Sequence, residues 1–284
     1  MTGGAEPVAL RVMTLADIDD GLRLSGAAGW NQRSEDWRFL LEANPGRFVV
    51  AMRNGRVIGS GGAVCYGTAL AWVCMILVDP SERGHGIGSR IVTGVLDRLS
   101  DIRAVGLDAT PLGQGVYARL GFVETSRLVR LEAPPTAGEE DESPVRPLVP
   151  GDFDSVLAVD RSVFGADRSD LLRAAALRAP AFVALRDGVV AGYCLGRDGA
   201  RSRQIGPVVA PDLELAASLV VTSLVSDQGQ PVVVDAPADR ADWLALLREF
   251  GFEEKRPLVR MFRGGVRPPG LPERVWAICG PEFG

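Results

Sequence analysis

The clearest chemistry in this sequence lies at residues 75–91, Met75-Ile76-Leu77-Val78-Asp79-Pro80-Ser81-Glu82-Arg83-Gly84-His85-Gly86-Ile87-Gly88-Ser89-Arg90-Ile91. An apolar strand runs into a loop with glycine at three alternate positions, and the loop opens a helix. Such glycines let successive backbone N–H groups turn into one concavity, while the helix start aims its positive end at the same point. Phosphate or pyrophosphate is the natural occupant. A Walker loop would end in Gly-Lys-Ser/Thr, and Gly88-Ser89-Arg90 has no such lysine. A dinucleotide fingerprint needs two residues between its second and third glycines, whereas only Ile87 separates Gly86 from Gly88. A glycine-rich turn without a ligand is the bland alternative.

With its strand and helix context, Val78-x-Pro80-x-x-Arg83-Gly84-x-Gly86-Ile87-Gly88 resembles the pyrophosphate loop of the GNAT acyl-CoA N-acyltransferases. The resemblance implies acetyl-CoA as cosubstrate and no metal. The loop N–H groups of Arg83, Gly84, His85, Gly86, Ile87, Gly88 and Ser89 would face the pyrophosphate, and the Arg83 guanidinium would add a charge-assisted contact. Backbone groups of Ile76, Leu77 and Val78 would pair with the pantetheine arm. Tyr117-Ala118-Arg119-Leu120-Gly121-Phe122 matches the family's Tyr-x-x-x-Gly-Phe, which implies Tyr117 as general acid for the departing thiolate; simple packing of the ring is the alternative.

The base is less legible. Many relatives place a glutamate on the strand before the loop, yet Ala71-Trp72-Val73-Cys74-Met75 has no carboxylate. Asp108 is a candidate base, with a buried structural hydrogen bond equally open. Glu35 and Asp36 could attract a cationic acceptor, although carboxylates at a helix start usually serve its dipole. Trp30 and Asn31 interrupt two early helices, in the region that shapes acceptor pockets in this superfamily, so they are candidate acceptor contacts; core packing is the competing role for Trp30.

The elements that must position these residues follow from periodicity and punctuation. Residues 8–13 read as a strand, 17–28 as a helix capped by Thr14 or Asp17, and 35–43 as a second helix capped by Ser34. Asn54-Gly55 joins strands 48–52 and 57–64 in a tight hairpin. Residues 69–78 are almost uniformly apolar, as a strand covered on both faces should be. A helix over 87–100, a strand over 104–107, a short helix over 111–120 and strand residues over 122–131 complete the half. The order β-α-α-β-β-β-α-β-α-β-β is that of the GNAT fold, an α/β (α+β) mixed-sheet architecture.

Residues 133–144 combine proline with an acidic run and read as a linker between a domain at 1–132 and one at 145–263. The second half repeats the first: Asp187-Gly188 follows Asn54-Gly55 by 133 residues, Val209-Ala210-Pro211 follows Val78-Asp79-Pro80 by 131, and Gly251-Phe252 follows Gly121-Phe122 by 130. At the middle offset Arg83, Gly84, Gly86 and Gly88 fall on Glu214, Leu215, Ala217 and Leu219, which would close the concavity and put a carboxylate in it. The second copy is therefore expected to hold no cofactor and to stabilise the chain or wall the acceptor pocket. The tail 264–284 ends in an apolar segment that must pack down. A tandem GNAT chain of bacterial type, active N-terminal copy first, is the architecture implied.

A net charge of -5 argues against nonspecific nucleic-acid binding. The first residues lack a basic segment followed by an apolar core, and no run is long enough for a membrane span, which points to a cytoplasmic protein. Four cysteines without Cys-x-x-Cys spacing and a single histidine support neither a zinc site nor a Cys–His nucleophile. The expected activity is transfer of an acetyl group to a primary amine of a small molecule, amino acid or peptide, by a monomer or homodimer. A noncatalytic acyl-CoA-binding protein and a protein-lysine acetyltransferase are the alternatives.

Overall fold

The computed structural model describes residues 7–135, 144–226, 229–267 and 270–284. Most of the expected linker, together with Pro268, Pro269 and the first six residues, lies outside them. The first half contains β1 (Ala9–Val12), α1 (Ile18–Ala27), α2 (Ser34–Ala43), β2 (Val49–Arg53), β3 (Arg56–Tyr66), β4 (Leu70–Val78), α3 (Ile87–Leu96), β5 (Ala104–Ala109), α4 (Pro111–Arg119) and β6 (Phe122–Ala133). The second contains β7 (Val145–Pro147), α5 (Phe153–Phe164), α6 (Ser169–Ala176), β8 (Phe182–Arg186), β9 (Val189–Arg197), β10 (Arg203–Val209), α7 (Leu213–Val225), β11 (Val232–Pro237), α8 (Ala241–Glu249), β12 (Glu253–Arg263) and β13 (Val275–Ala277).

The hairpin turns form where expected. Asn54 and Gly55 have φ of 50° and 72°, and Asp187 and Gly188 have 53° and 76°, the left-handed pair that a two-residue turn requires. The caps differ from expectation. Asp17 accepts from the Thr14 N–H at 2.8 Å and so closes a turn ahead of α1, and Asp36 accepts from the Arg33 N–H at 2.8 Å, so α2 begins at Ser34 and Ser34 is not its cap.

Strand pairing corrects one expectation outright. The first half supplies a single strand after α4, not two. Among the described residues the strands form one sheet in the order β1-β2-β3-β4-β5-β12-β6-β11-β10-β9-β8-β7, with β13 alongside β10. The last long strand of the second half thus enters the first half between β5 and β6, and β6 in turn lies between β12 and β11 of the second. Leu128 and Leu258 face each other in register across this junction, 130 residues apart in the chain. Because 130 is also the repeat offset, the pseudo-twofold axis of the duplication runs between these two leucines.

Alternation about the axis sorts the faces. Val129, Leu131, Val259 and Met261 join the cores beneath α3, α7 and α8. Leu128 and Leu258 point the other way, onto Ile278 of the C-terminal segment. That segment is packed down, with Trp276, Ala277, Ile278, Cys279 and Phe283 buried. Tyr66 donates to the Phe283 carbonyl at 2.6 Å and the Trp72 indole to the Pro281 carbonyl at 2.9 Å, so second-half residues seal the α1/α2 core. Cys74, Cys194 and Cys279 are buried free thiols and Cys65 is half-buried; burial pushes Cys279 up to about 11.

Candidate active site

The glycine loop is braced from below by one carboxylate. Asp79 accepts from the Ser81 hydroxyl at 2.8 Å, from Arg56 at 2.8 Å and from Arg23 at 3.0 Å, and Arg53 pairs with Glu82 beside it. Gly84 and Gly86 take φ of 83° and 73°, where a side chain would be strained, and a Cβ on either would meet nothing within 4 Å. Their need is conformational, and the space above them is open. Gly88 differs: it is helical, and a Cβ there would make an ordinary 3.8 Å contact with Val78. Gly86 caps α3 with no side chain, and the first intrahelical bond runs from Arg90 to Gly86 at 3.1 Å. The N–H groups of Ile87, Gly88 and Ser89 therefore have no acceptor within the helix. Exposed Arg83 folds back, its Nε donating to the Val78 carbonyl at 3.2 Å, and His85 is exposed with Nδ1 3.3 Å from the Glu82 carbonyl.

Behind the loop, β4 and β5 part. They pair in parallel from Leu70/Ala104 to Trp72/Gly106 and no further. Just above, β4 bulges against β3: the register shifts between Ser60/Leu77 and Gly62/Cys74, Met75 has φ of 56°, and the Ser60 hydroxyl donates to the Met75 carbonyl at 3.1 Å. Past the bulge, the β5-facing edge of Ile76, Leu77 and Val78 has no strand against it among the described residues. An extended arm bearing amides suits that edge, and an anion suits the N–H cradle at its mouth, so the residues present fit an acyl-CoA.

Tyr117 on α4 packs on the core that holds Ile87 of α3 and Leu107 of β5, within electrostatic reach of Cys74 on β4. Its ring lies edge-on to Phe122 at 6.1 Å, and a Cβ on Gly113 would come within 2.9 Å of it. The hydroxyl makes no hydrogen bond among the described residues, and burial pushes the phenol above its ordinary value. It is a protonated donor throughout the neutral range.

Other expected site residues are committed elsewhere. Both Asp108 oxygens are taken by Arg260 of β12, Nε at 2.9 Å and Nη2 at 2.8 Å, and that guanidinium stacks 4.6 Å over the Trp72 ring. Burial raises the Asp108 carboxyl and Arg260 opposes the rise. Asn31 spans the halves: its side chain donates to the Ser202 carbonyl at 2.8 Å and accepts from the Arg201 N–H at 2.8 Å. Half-buried Trp30 packs on the α1/α2 core. Asp36 is buried and ion-paired with Arg197 and Arg178, each at 2.8 Å, so it offers nothing to an acceptor.

The second half repeats the geometry and then fills it. β10 and β11 pair only at Arg203/Val232 and Gln204/Val233, and β10 bulges between Ile205 and Val208, 131 residues after the bulge of β4. Here β13 lies in the gap, with Val208 opposite Ala277 and Val209 opposite Val275, and Trp276 donates to the Ala210 carbonyl at 3.0 Å. The chain's own strand occupies the edge that is open beside β4. At the mouth, the Asp212 side chain accepts from the Leu215 N–H at 3.1 Å and pairs with Arg186. The self-cap expected at this helix is present, but the carboxylate in the concavity is Asp212; Glu214 is exposed.

Sequence reasoning missed Arg260 and the strand β13 that fills the second-half gap, both supplied by the second half. One signal pointed there: only one strand fits between Gly121 and the proline-rich linker, so the sheet had to be completed from elsewhere.

Comparison with known proteins agrees with this geometry. Residues 44–124 and 156–277 each match an acetyltransferase (GNAT) domain, and together the two matches span more than half of the chain. The chain belongs to the GNAT acetyltransferases, as a tandem of two such domains, and is an acyltransferase. It is 29% identical over 249 residues to an uncharacterized N-acetyltransferase of Bacillus subtilis, covering 82% of this chain and 83% of that one. It is also 29% identical over 269 residues to the holothin acyltransferase of a Pseudoalteromonas species, covering 91% and 88%. A solved acetyltransferase candidate from Pyrococcus horikoshii shares the fold with a TM-score of 0.84 at 23% identity, covering 98% of this chain and 96% of that one. No helix among the described residues is long and apolar enough to cross a membrane.

Proposed function

We propose that the protein transfers the acetyl group of acetyl-CoA to a primary amine of a small molecule, amino acid or peptide, using the first half alone for the donor. The observation that carries this reading is the pairing of an open β4/β5 gap with an uncapped α3 start, against a second half in which β13 and Asp212 fill both places. The N–H groups of residues 84–89 hold the pyrophosphate, and the free edge of Ile76, Leu77 and Val78 pairs with the pantetheine amides. The thioester then lies below the bulge, near Tyr117.

A neutral amine attacks the thioester carbonyl carbon. The carbon–nitrogen bond forms, the carbon–sulfur bond breaks, and Tyr117 donates its proton toward the departing sulfur while the amine proton passes to water. The resemblance to a holothin acyltransferase supports acyl transfer as the reaction. Release of CoA thiol with a panel of amines tests the reading: turnover with at least one amine supports it, and tight CoA binding without turnover would make the protein a binding module instead.

A further inference from the structure

The duplication supplies an internal control for every residue near its axis. Arg130 and Arg260 are related by the offset of 130, and each makes a bidentate ion pair across the halves, with Asp235 and Asp108 respectively. Their cross-strand partners are also related by 130, and here the symmetry fails: Arg260 faces Ser126, whereas Arg130 faces Arg256. Two arginines directly opposite one another repel. Arg130 is already matched by Asp235, so the surplus charge belongs to Arg256.

Arg256 is half-buried and has no hydrogen bond or ion pair among the described residues. The nearby carboxylates of Asp235 and Glu282 are held by Arg130 with Gln204, and by Arg197 with Gln32; Glu132 is in electrostatic reach but makes no bond to it. Burial and Arg130 press its pKa down, as expected of a cation lacking its counter-ion. Its place is informative. β5 ends opposite β12 at Ala109/Val259, and Arg256 lies three residues further along β12, roughly 10 Å at the usual strand rise, just past the end of β5. β12 bulges between Glu254 and Arg256. The equivalent place beside the filled second-half gap is Ser126. The extra arginine stands past the end of β5, the strand that borders the open gap, and is missing past the end of β11, which borders the filled one.

We propose that Arg256 recognises a carboxylate on the acceptor, so that the acceptor is an amino acid or another amine carrying a free carboxylate. This rests on the amine-acceptor reading above. One unmatched, partly desolvated guanidinium suits a planar monoanion bound in bidentate fashion better than a dianionic phosphate, which would need a second cation.

The test compares amino acids with their carboxamides as acceptors for the full chain and its Arg256→Ser and Arg256→Lys variants. Ser126 shows that this place in the sheet accepts serine, and CoA titration reports whether each variant is folded. The native protein prefers the acid over the amide in kcat/KM, and Arg256→Ser cuts that ratio by about tenfold or more, the range for a lost hydrogen bond to a charged group, mainly through KM. Arg256→Lys keeps the charge but not the fork; it retains part of the preference and serves if the serine variant fails to fold. Equal use of acid and amide by the native protein, or a ratio untouched by either variant, overturns the proposal. Absence of turnover with every amine counts against the enzyme reading instead, and calorimetry with N-acetyl amino acids and their amides then decides Arg256. Binding of the acid form alone, reduced in the variants, supports the assignment; equal or no binding overturns it.

Discussion

Asp108 of β5 accepts both Nε and Nη2 of Arg260 of β12, and Asp235 of β11 accepts both Nε and Nη2 of Arg130 of β6, so each half contributes the arginine that neutralises the other's buried aspartate. The two pairs flank Leu128 and Leu258 and fasten the exchanged strands to their hosts. Neither strand can leave without stranding a charge in the sheet.

Asp108→Asn should therefore act on stability first. It leaves the Arg260 guanidinium, about one-fifth exposed, without its anion. Breaking a buried pair from one side typically costs ~3–5 kcal/mol, and chemical denaturation should show a loss of that order. Loss of turnover with an unchanged unfolding midpoint would place Asp108 in the chemistry instead.

A chain truncated at Pro135 should aggregate rather than work. β6 has β12 on one side and β11 on the other, and β5 has β12 on its outer side, so removal of the second half bares three strand edges at once. It also removes Pro281 and Phe283, which seal Trp72 and Tyr66. Size-exclusion chromatography checks this, and a monomeric fragment with native acceptor turnover would refute it.

Gly86→Val should abolish CoA binding, because a β-branched residue is strongly disfavoured at a φ of 73° and the helix start would shift. Leu219→Gly should leave binding at one CoA per chain, since β13 and Asp212 still fill the second-half site. Calorimetric stoichiometry reads both outcomes, and two sites per native chain would contradict the assignment.

Tyr117→Phe should lower kcat by roughly ten- to a thousandfold, the range for one positioned acid, with CoA affinity nearly unchanged. Because burial raises the phenol above its ordinary value, the native rate should not fall as pH rises through 8 to 9 on this residue's account. Retention of the full rate in the phenylalanine variant would remove Tyr117 from the mechanism.

Acid stability should depend on a second symmetric pair. Arg11 and Arg146 hold Asp17 and Asp152 in bidentate contacts, and each carboxyl drops from 3.8 to about 2. A depressed carboxyl adds stability that is fully present above its ordinary pKa and is lost as pH falls through its folded value. Asp17→Asn should thus narrow the difference in stability between pH 5 and pH 2, measured by thermal unfolding at each; an unchanged difference would show the pair to be inert.

Much of this protein is local and was legible as such. The hairpin pairs Asn54-Gly55 and Asp187-Gly188, the glycine loop and the self-capping Asp212 depend on backbone sterics and on contacts within a few residues, and those are written in short stretches of sequence. The repeat was readable too, because its turn residues are fixed by φ requirements that survive divergence. What tertiary structure alone decided is which strand completes which sheet. A strand's period of two identifies its faces but not its neighbour, so nothing local showed that β12 would lie between β5 and β6, that Arg260 would take both oxygens of Asp108, or that Asp36 would be spent on Arg197 and Arg178. The unpaired edge of β4 and the pairing of β13 with β10 were beyond local reading for the same reason: pairing at a sheet edge is a long-range competition, settled only when the whole chain has packed.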